Sequence, residues 1–400
     1  NNAKSPILSK NVSSSIGLEP PLRFPGFEGD WTGTKLSRLF QKITQKNKSG
    51  VITNVICNSA KNGLIPQRDF FDKDIANAEN TNGYFIIQKN DFVYNPRKSN
   101  DAPYGPISRY KHEEDGIVSP LYLCFRPSRD IDVRYFDAYF KSTVWHRYIY
   151  FAGDSGARHD RVSIKDENFF AMPVNIPVLP EQQKIADFLS LVDERIEKQR
   201  QLVEVLKRYK RGFVVTLFSN VSGSEIRLKD ILEEVSKKTT QQDQYPVISS
   251  TKQGLFWQEE YFKKDIASSN NKGYKILVKG QLVFSPQNLW MGNINLNEDF
   301  DIGIVSPSYK IYNITTSFDP YFIITLFKTQ KAMKEFFLAS EQGASIVRRN
   351  LNMEIFDNII FNIPNLKEQQ EIACRVRQFQ LLANYHTAVL KALIQLKQGL

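Results

Sequence analysis

Four hundred residues exceed what one hydrophobic core usually serves, so at least two domains are expected. Hydrophobic residues make up 41% and charged residues 24%, ordinary globular values that exclude a largely disordered or fibrous chain. A net charge of +10, from 53 Lys and Arg against 43 Asp and Glu, admits a polyanionic partner without requiring one.

In chain order, clustered Ser and Asn ahead of Pro20-Pro21 read as a flexible tail over 1–21. A first domain is expected over 22–179, with strands FIIQ (85–88), FVYN (92–95) and IVSPLYLCF (117–125). From Glu181 the chain loses Gly and Pro for thirty residues, and a helix is expected over 180–218. A second domain over 219–363 carries the strands KILV (275–278), LVFS (282–285) and IVSPSYKIY (304–312), and a second helix is expected over 364–400.

These elements come in two copies. Lys73-Asp74-Ile75-Ala76 returns as Lys264-Asp265-Ile266-Ala267, an offset of 191, and Gly116-Ile117-Val118-Ser119-Pro120 returns as Gly303-Ile304-Val305-Ser306-Pro307, an offset of 187. Ile176-Pro177 matches Ile363-Pro364, and Glu181-Gln182-Gln183 matches Glu368-Gln369-Gln370. A period this long means two duplicated domains and not a solenoid.

Steps of four and three from Ile185 give Leu189, Val192, Ile196, Gln199, Val203, Leu206, Lys210 and Phe213. The same walk from Ile372 gives Val376, Phe379, Ala383, His386, Leu390, Leu393, Lys397 and Leu400. A 3.5-residue apolar repeat is the seam of a left-handed coiled coil. Parallel pairing would set Lys210 against Lys397, whereas antiparallel pairing separates them and lets Gln199 meet His386 at the midpoint. The fold class is therefore α+β: two duplicated mixed α/β domains joined by two long helices that pair as an antiparallel coiled coil with pseudo-twofold symmetry. The competing arrangement packs each helix on its own domain.

Much familiar chemistry is missing. There is no Gly-Lys dipeptide and so no Walker A loop, no Asp-x-Lys or Glu-x-Lys tail of a nuclease site, and no Gly-x-Ser-x-Gly elbow. Tyr94-Asn95-Pro96-Arg97 lacks the second proline and the aromatic of an adenine-methyltransferase motif. His112, His146, His159 and His386 show no ligand spacing, and Cys57, Cys124 and Cys374 form no Cys-x-x-Cys pair, so no metal site is expected. No apolar run approaches the ~20 residues of a membrane span, and the start of the chain lacks a signal core. The reading is a cytoplasmic non-enzyme with no catalytic residues, no metal and no membrane partner.

Scaffolding should recur between the copies, whereas elements that read two different targets should diverge. Residues 97–115 and 287–302 share little, and a second polar segment, 153–161, corresponds to 342–349, each ending with basic side chains near a Gly; the two segments of each copy are grouped together as the candidate readers. The candidate DNA-contacting residues in these segments are Arg97, Lys98, Arg109, Lys111, Arg158, His159 and Arg161 in the first copy. In the second they are Gln287, Asn288, Trp290, Asn293, Ser345, Arg348 and Arg349. These residue types bond base edges and phosphates.

The chain resembles the specificity subunit of a type I restriction-modification system. The resemblance rests on the order domain, helix, domain, helix, on Leu22-Arg23-Phe24-Pro25-Gly26-Phe27 with Trp31, on Ser155-Gly156-Ala157-Arg158, and on the Ile-Pro junction running into Glu-Gln-Gln in both copies. The second copy departs at Asn365 and Lys367, where the first has Val178 and Pro180, and the sequence stops at Leu400 where the first helix continues as Val214-Val215-Thr216-Leu217-Phe218, which leaves the end of the second helix open. The resemblance implies two target-recognition domains, each reading half of a bipartite site in double-stranded DNA, with the coiled coil as spacer. It further implies no catalytic activity in this chain, docking of two methyltransferase subunits that use S-adenosylmethionine, and restriction and translocation subunits that use ATP and Mg. The alternative is an interaction protein whose coil joins two protein-binding modules.

Overall fold

The computed structural model of the chain describes residues 20, 22–69, 81–128, 131–153, 160–219, 221–261, 270–342 and 349–399. The chain divides into two compact units, 1–195 and 196–400, with the boundary inside the first long helix. Among the described residues no helix is long and apolar enough to cross a membrane.

In the first unit a four-stranded antiparallel sheet runs in the order Phe40–Lys42, Leu123–Pro127, Phe92–Tyr94, Ile107–Arg109. The second unit repeats it as Leu232–Val235, Lys310–Ile314, Leu282–Phe284, Ile294–Leu296. Side chains alternate across a strand, and here both faces are buried. Phe92, Tyr94 and Phe125 face one core with Phe40, Phe136, Phe140 and Phe169, while Val93 and Cys124 face another with Ile56, Ile87 and Val118. The second unit divides the same way, Leu282, Phe284 and Tyr312 on one side and Val283 and Ile311 on the other. Edge-to-face packing of Phe40 on Phe92 and Phe125, with centroids 5.4 and 5.3 Å apart, closes the first core.

Each Gly-Ile-Val-Ser-Pro motif ends a strand. The expected single strands 117–125 and 304–312 are each two, Gly116–Val118 with Leu123–Pro127 and Ile302–Val305 with Lys310–Ile314. Proline has no N–H for a ladder, and the chain turns there, with Tyr122 N donating to Ser119 O and Tyr309 N to Ser306 O, both at 3.0 Å. A hairpin covers each sheet, Ile56–Ser59 with Gly63–Pro66 and Ile248–Thr251 with Gly254–Trp257. Its buried polar pair is exchanged between the copies. Ser108 Oγ bonds Asn58 Oδ1 at 2.7 Å in the first unit, and Asn295 Nδ2 donates to Ser250 Oγ at 2.9 Å in the second. One serine and one asparagine satisfy each other from either strand.

The long helices span Leu179–Ser219 and Leu366–Gly399. Pro180 sits in the first turn of the first, where its missing N–H costs nothing. The departure at Asn365 has a physical role, since its side chain caps the second helix by accepting from Glu368 N at 3.1 Å. Behind each start lies a buried glutamine. Gln182 accepts from Asp132 N at 3.1 Å and donates to Pro177 O at 2.9 Å; Gln369 accepts from Asp319 N at 2.8 Å and donates to Pro364 O at 2.9 Å. Asp132 and Asp319 in turn cap the helices Val133–Lys141 and Pro320–Phe327. In the first unit Glu181, also buried, holds the Arg23 guanidinium through two bonds of 2.9 Å and accepts from Trp31 Nε1 at 3.4 Å.

The seam holds over the described residues. Every expected seam position from Ile185 to Phe213 and from Ile372 to Lys397 is buried or half-buried, with exposed residues between. Within the second unit the partners run in opposite directions: Gln199 Nε2 donates to His386 O at 2.9 Å and lies 3.0 Å from its Nδ1, Lys210 Nζ donates to Gln380 Oε1, and Phe213 meets Phe379 at 4.8 Å. Pairing is antiparallel, as like-charge repulsion between lysines requires. The first seam residues also serve the domains, Ile185 packing on the first core and Ile372 and Val376 lying within that of the second unit.

Replacing Gln182 or Gln369 by Ala strands a backbone N–H and a carbonyl at the helix head, and each change is expected to lower stability by about 1–3 kcal/mol. Urea unfolding of the full chain, followed at both transitions if they separate, checks this.

Candidate nucleic-acid interface

The two divergent segments of each copy meet in space. In the first unit Val162 N donates to Pro96 O at 2.9 Å and Lys98 N to Asp160 O at 2.8 Å, so that Arg97 and Arg161 lie opposite one another in an antiparallel bridge. Arg97 and Lys98 are exposed and Arg161 is half-buried. The loop that carries Arg97 and Lys98 closes tightly, with Asn95 N on Pro106 O at 3.0 Å. Gly105 is required there, because its φ is +82° and an added Cβ would lie 2.1 Å from Asn95 O.

The second unit repeats the meeting, with Arg349 N donating to Gln287 O at 3.2 Å. Gln287 is exposed and Asn288 half-buried, at the head of the 3-10 turn Leu289–Met291. Trp290 lies edge-on to Phe337 at 5.8 Å, and its indole N–H is buried without a partner among the described residues.

Four expected contacts are engaged within the fold instead. Arg109 donates to Asn90 Oδ1 at 2.8 Å and lies 3.9 Å from Asp137, which Lys111 and Lys141 approach at 3.1 and 3.2 Å. Arg109 pairs with Phe92 at the far end of its hairpin, five extended residues or about 16 Å of chain from Arg97. Arg109 and Lys111 therefore neutralise a helix carboxylate away from the meeting of the loops. Asn293 is buried, accepting from Ser250 Oγ at 2.7 Å and donating to Ser250 O at 3.0 Å, so its amide serves the hairpin inside the protein. Arg349 donates from Nε to Ser340 Oγ at 2.8 Å and from Nη2 to Ser340 O, and covers the Phe337 ring at 4.0 Å, so it first holds its own hairpin. Residue type alone could not separate these roles. Arg158, His159, Ser345 and Arg348 lie outside the described residues.

Other surface features had no sequence signal strong enough to single them out. Tyr150 and Phe151 stand exposed at the end of the helix His146–Ala152, and Phe337 and Leu338 at the end of Gln330–Leu338. On the coil, Leu202 and Tyr209 each precede a seam residue, as does Leu382. Such positions flank one side of an antiparallel pair, and with Val205 and Tyr385 they leave an exposed apolar strip there. The other flank carries Arg200, Lys207, Gln380 and Thr387. Among the described residues no group of three or more His, Cys, Asp or Glu could hold a metal ion.

Residues 30–208 match the family model of the type I restriction modification DNA specificity domain. Three solved structures share the fold. A chain from a type I R-M system, described for its complex assembly and conformational transition, aligns with a TM-score of 0.58 at 12% identity over 95% of this chain and 97% of that one. The HsdS subunit from Thermoanaerobacter tengcongensis gives 0.50 at 12% over 95% and 97%, and the type I S subunit from M. genitalium 0.51 at 15% over 92% and 94%. No curated protein matches the chain.

Burial raises the Asp137 carboxyl, but Lys141 and Lys111 outweigh it and hold the group below its ordinary 3.8. Its contribution to stability is thus complete above that value and is lost as pH falls through the lowered one. Asp137→Asn should cost stability at neutral pH and flatten the acid limb of the unfolding midpoint against pH. Arg109→Ala should destabilise the first unit, read as a lower urea midpoint of the full chain.

Proposed function

From the match of residues 30–208 to the type I restriction modification DNA specificity domain we propose that this chain is a specificity subunit, each half of which reads one half of an asymmetric bipartite site in double-stranded DNA. The observation that carries the reading is the meeting, in both units, of the two candidate segments, through Lys98 on Asp160 and Arg349 on Gln287. A scaffold kept strand for strand under a changed composite edge is what two readers of different sequences require. In the first unit that edge presents Arg97, Lys98 and Arg161, suited to phosphates and guanine edges; in the second it presents Gln287 and Asn288, suited to adenine.

The coiled coil is the ruler in this reading. Ile185 to Phe213 is 28 steps, about 42 Å at ~1.5 Å per residue, close to the ~34–36 Å that separates half-sites one helical turn apart. The apolar strip of Leu202, Val205, Tyr209, Leu382 and Tyr385 suits docking of methyltransferase subunits. Those two subunits would bring S-adenosylmethionine and the methyl transfer, and the restriction subunits ATP and Mg; this chain supplies recognition and no reacting group.

Duplex binding by the chain assembled with its methyltransferase subunits should weaken steeply with salt, because phosphate contacts release counterions. A chain built only to join protein modules would show no such slope. Arg158→Ala or Arg161→Ala should impair recognition of one half-site and Arg348→Ala the other, by roughly 1–3 kcal/mol for a base contact. Methylation unchanged in sequence and extent would reject these residues as readers.

Inserting four residues near Gln199, about 6 Å of helix, is expected to lengthen the unread spacer while both half-site sequences stay the same. The coil can absorb such a stutter by local unwinding. Methylation mapping that returns the original spacer from a folded variant would show that the helices do not set it.

A further inference from the structure

The helix His146–Ala152 buries only Ile149 and leaves Tyr150 and Phe151 65% and 73% exposed. An offset of 187 carries this pair onto Phe337 and Leu338, 42% and 60% exposed at the end of Gln330–Leu338. Two large apolar side chains held in water at one place in both copies are not needed by either core, whose members lie elsewhere on these helices. The pair also changes from Tyr-Phe to Phe-Leu while remaining apolar, the behaviour expected of a contact fitted to two targets.

Both pairs border the composite edge. Gly153, which follows the first helix, sits so close to Val162 and Ser163 that an added Cβ would lie 3.3 Å from each, and Val162 is the residue bonded to Pro96. On the other side Tyr104, in the loop that closes behind Arg97 and Lys98, packs on His146 with ring centroids 4.9 Å apart. In the second unit Phe337 touches both divergent segments at once, Trp290 at 5.8 Å and the Arg349 guanidinium at 4.0 Å. The surroundings are basic: Arg147 lies 6.0 Å from the Phe151 ring, and Arg97, Lys98 and Arg161 line the adjoining edge.

We infer that Tyr150 with Phe151, and Phe337 with Leu338, lie against the groove of the half-site that their own unit reads, making apolar contacts with thymine methyl groups and sugar carbons between the polar contacts of the loops. An apolar tip set among cations suits a duplex, whose phosphates meet the cations while its base edges offer methyl groups. The inference rests on the DNA-reading role proposed above. It adds that part of each half-site is read without hydrogen bonds or charge.

The test uses the full chain assembled with its methyltransferase subunits and a duplex containing the mapped target, titrated at several salt concentrations. Tyr150→Ser combined with Phe151→Ser should weaken binding about tenfold or more, equivalent to ~1.4 kcal/mol. The slope of log affinity against log salt should stay unchanged, because an apolar contact releases no counterions. Arg97→Ala is the contrasting variant and should lower that slope, while Tyr150→Phe with Phe151→Leu should bind within about threefold of the parent, a ~0.6 kcal/mol difference. Unchanged affinity of the serine variant overturns the inference, as does a loss accompanied by a lower slope, which would assign it to phosphate contacts. Loss of the methyltransferase subunits at unchanged DNA affinity also overturns it, giving the tip to a protein partner. If the parent assembly shows no salt-dependent duplex binding, the DNA-reading role itself fails, a result distinct from the others.

Discussion

At the head of each long helix one buried amide has to satisfy two backbone groups belonging to different elements. Gln182 joins the N–H of Asp132 to the carbonyl of Pro177, and Gln369 joins that of Asp319 to Pro364. A side chain so placed admits one position of the helix against its domain, because any slip leaves a buried donor and a buried acceptor unmet. The coil register begins at these glutamines. So does the placement of the helices Val133–Lys141 and Pro320–Phe327, whose capping aspartates are the residues being held.

What is built on that junction differs between the copies only where it can. The sheets are buried on both faces and recur strand for strand, so their substitutions must conserve volume and polarity. The exchange of Asn58 and Ser108 for Ser250 and Asn295 shows how narrow the freedom is: identity moves across the sheet but the buried hydrogen bond stays. Loops that leave the sheet at Pro96 and Pro286 have no such constraint. They carry the charge and amide groups that could meet a ligand, while the strands beneath hold each loop against its second segment.

The coil combines the two requirements. Gln199 on His386 and Lys210 on Gln380 put polar groups in a seam that apolar residues would stabilise further, and such positions specify register and direction at some cost in stability. With direction set, residues that precede seam positions on both helices come to one side, and there Leu202, Tyr209 and Leu382 stand exposed. An exposed apolar strip of this kind is the surface to which the proposed docking of partner subunits is assigned.

The duplication, the seam, its antiparallel sense and the likeness to a specificity subunit were legible in the sequence, because each is a pattern of spacing, and spacing survives without coordinates. The strands were legible as apolar runs, but the turn at each Ser-Pro was read through, since a run of β-formers hides a break that a single proline makes. The proposed recognition edge was half legible. Divergence between copies pointed to segments that meet in the fold, yet residue type could not tell Arg97, which faces solvent, from Arg109 on Asp137 or Arg349 on Ser340, because an arginine that neutralises its own fold and one left at the surface are the same letter. Nor could it tell the exposed Tyr150 and Phe151 from the buried aromatics of the sheet, or see that Glu181 and Gln182 work inside the protein. Partners distant in sequence, such as Arg23 on Glu181 and Asp132 on Gln182, decide those roles, and only the folded chain brings them together.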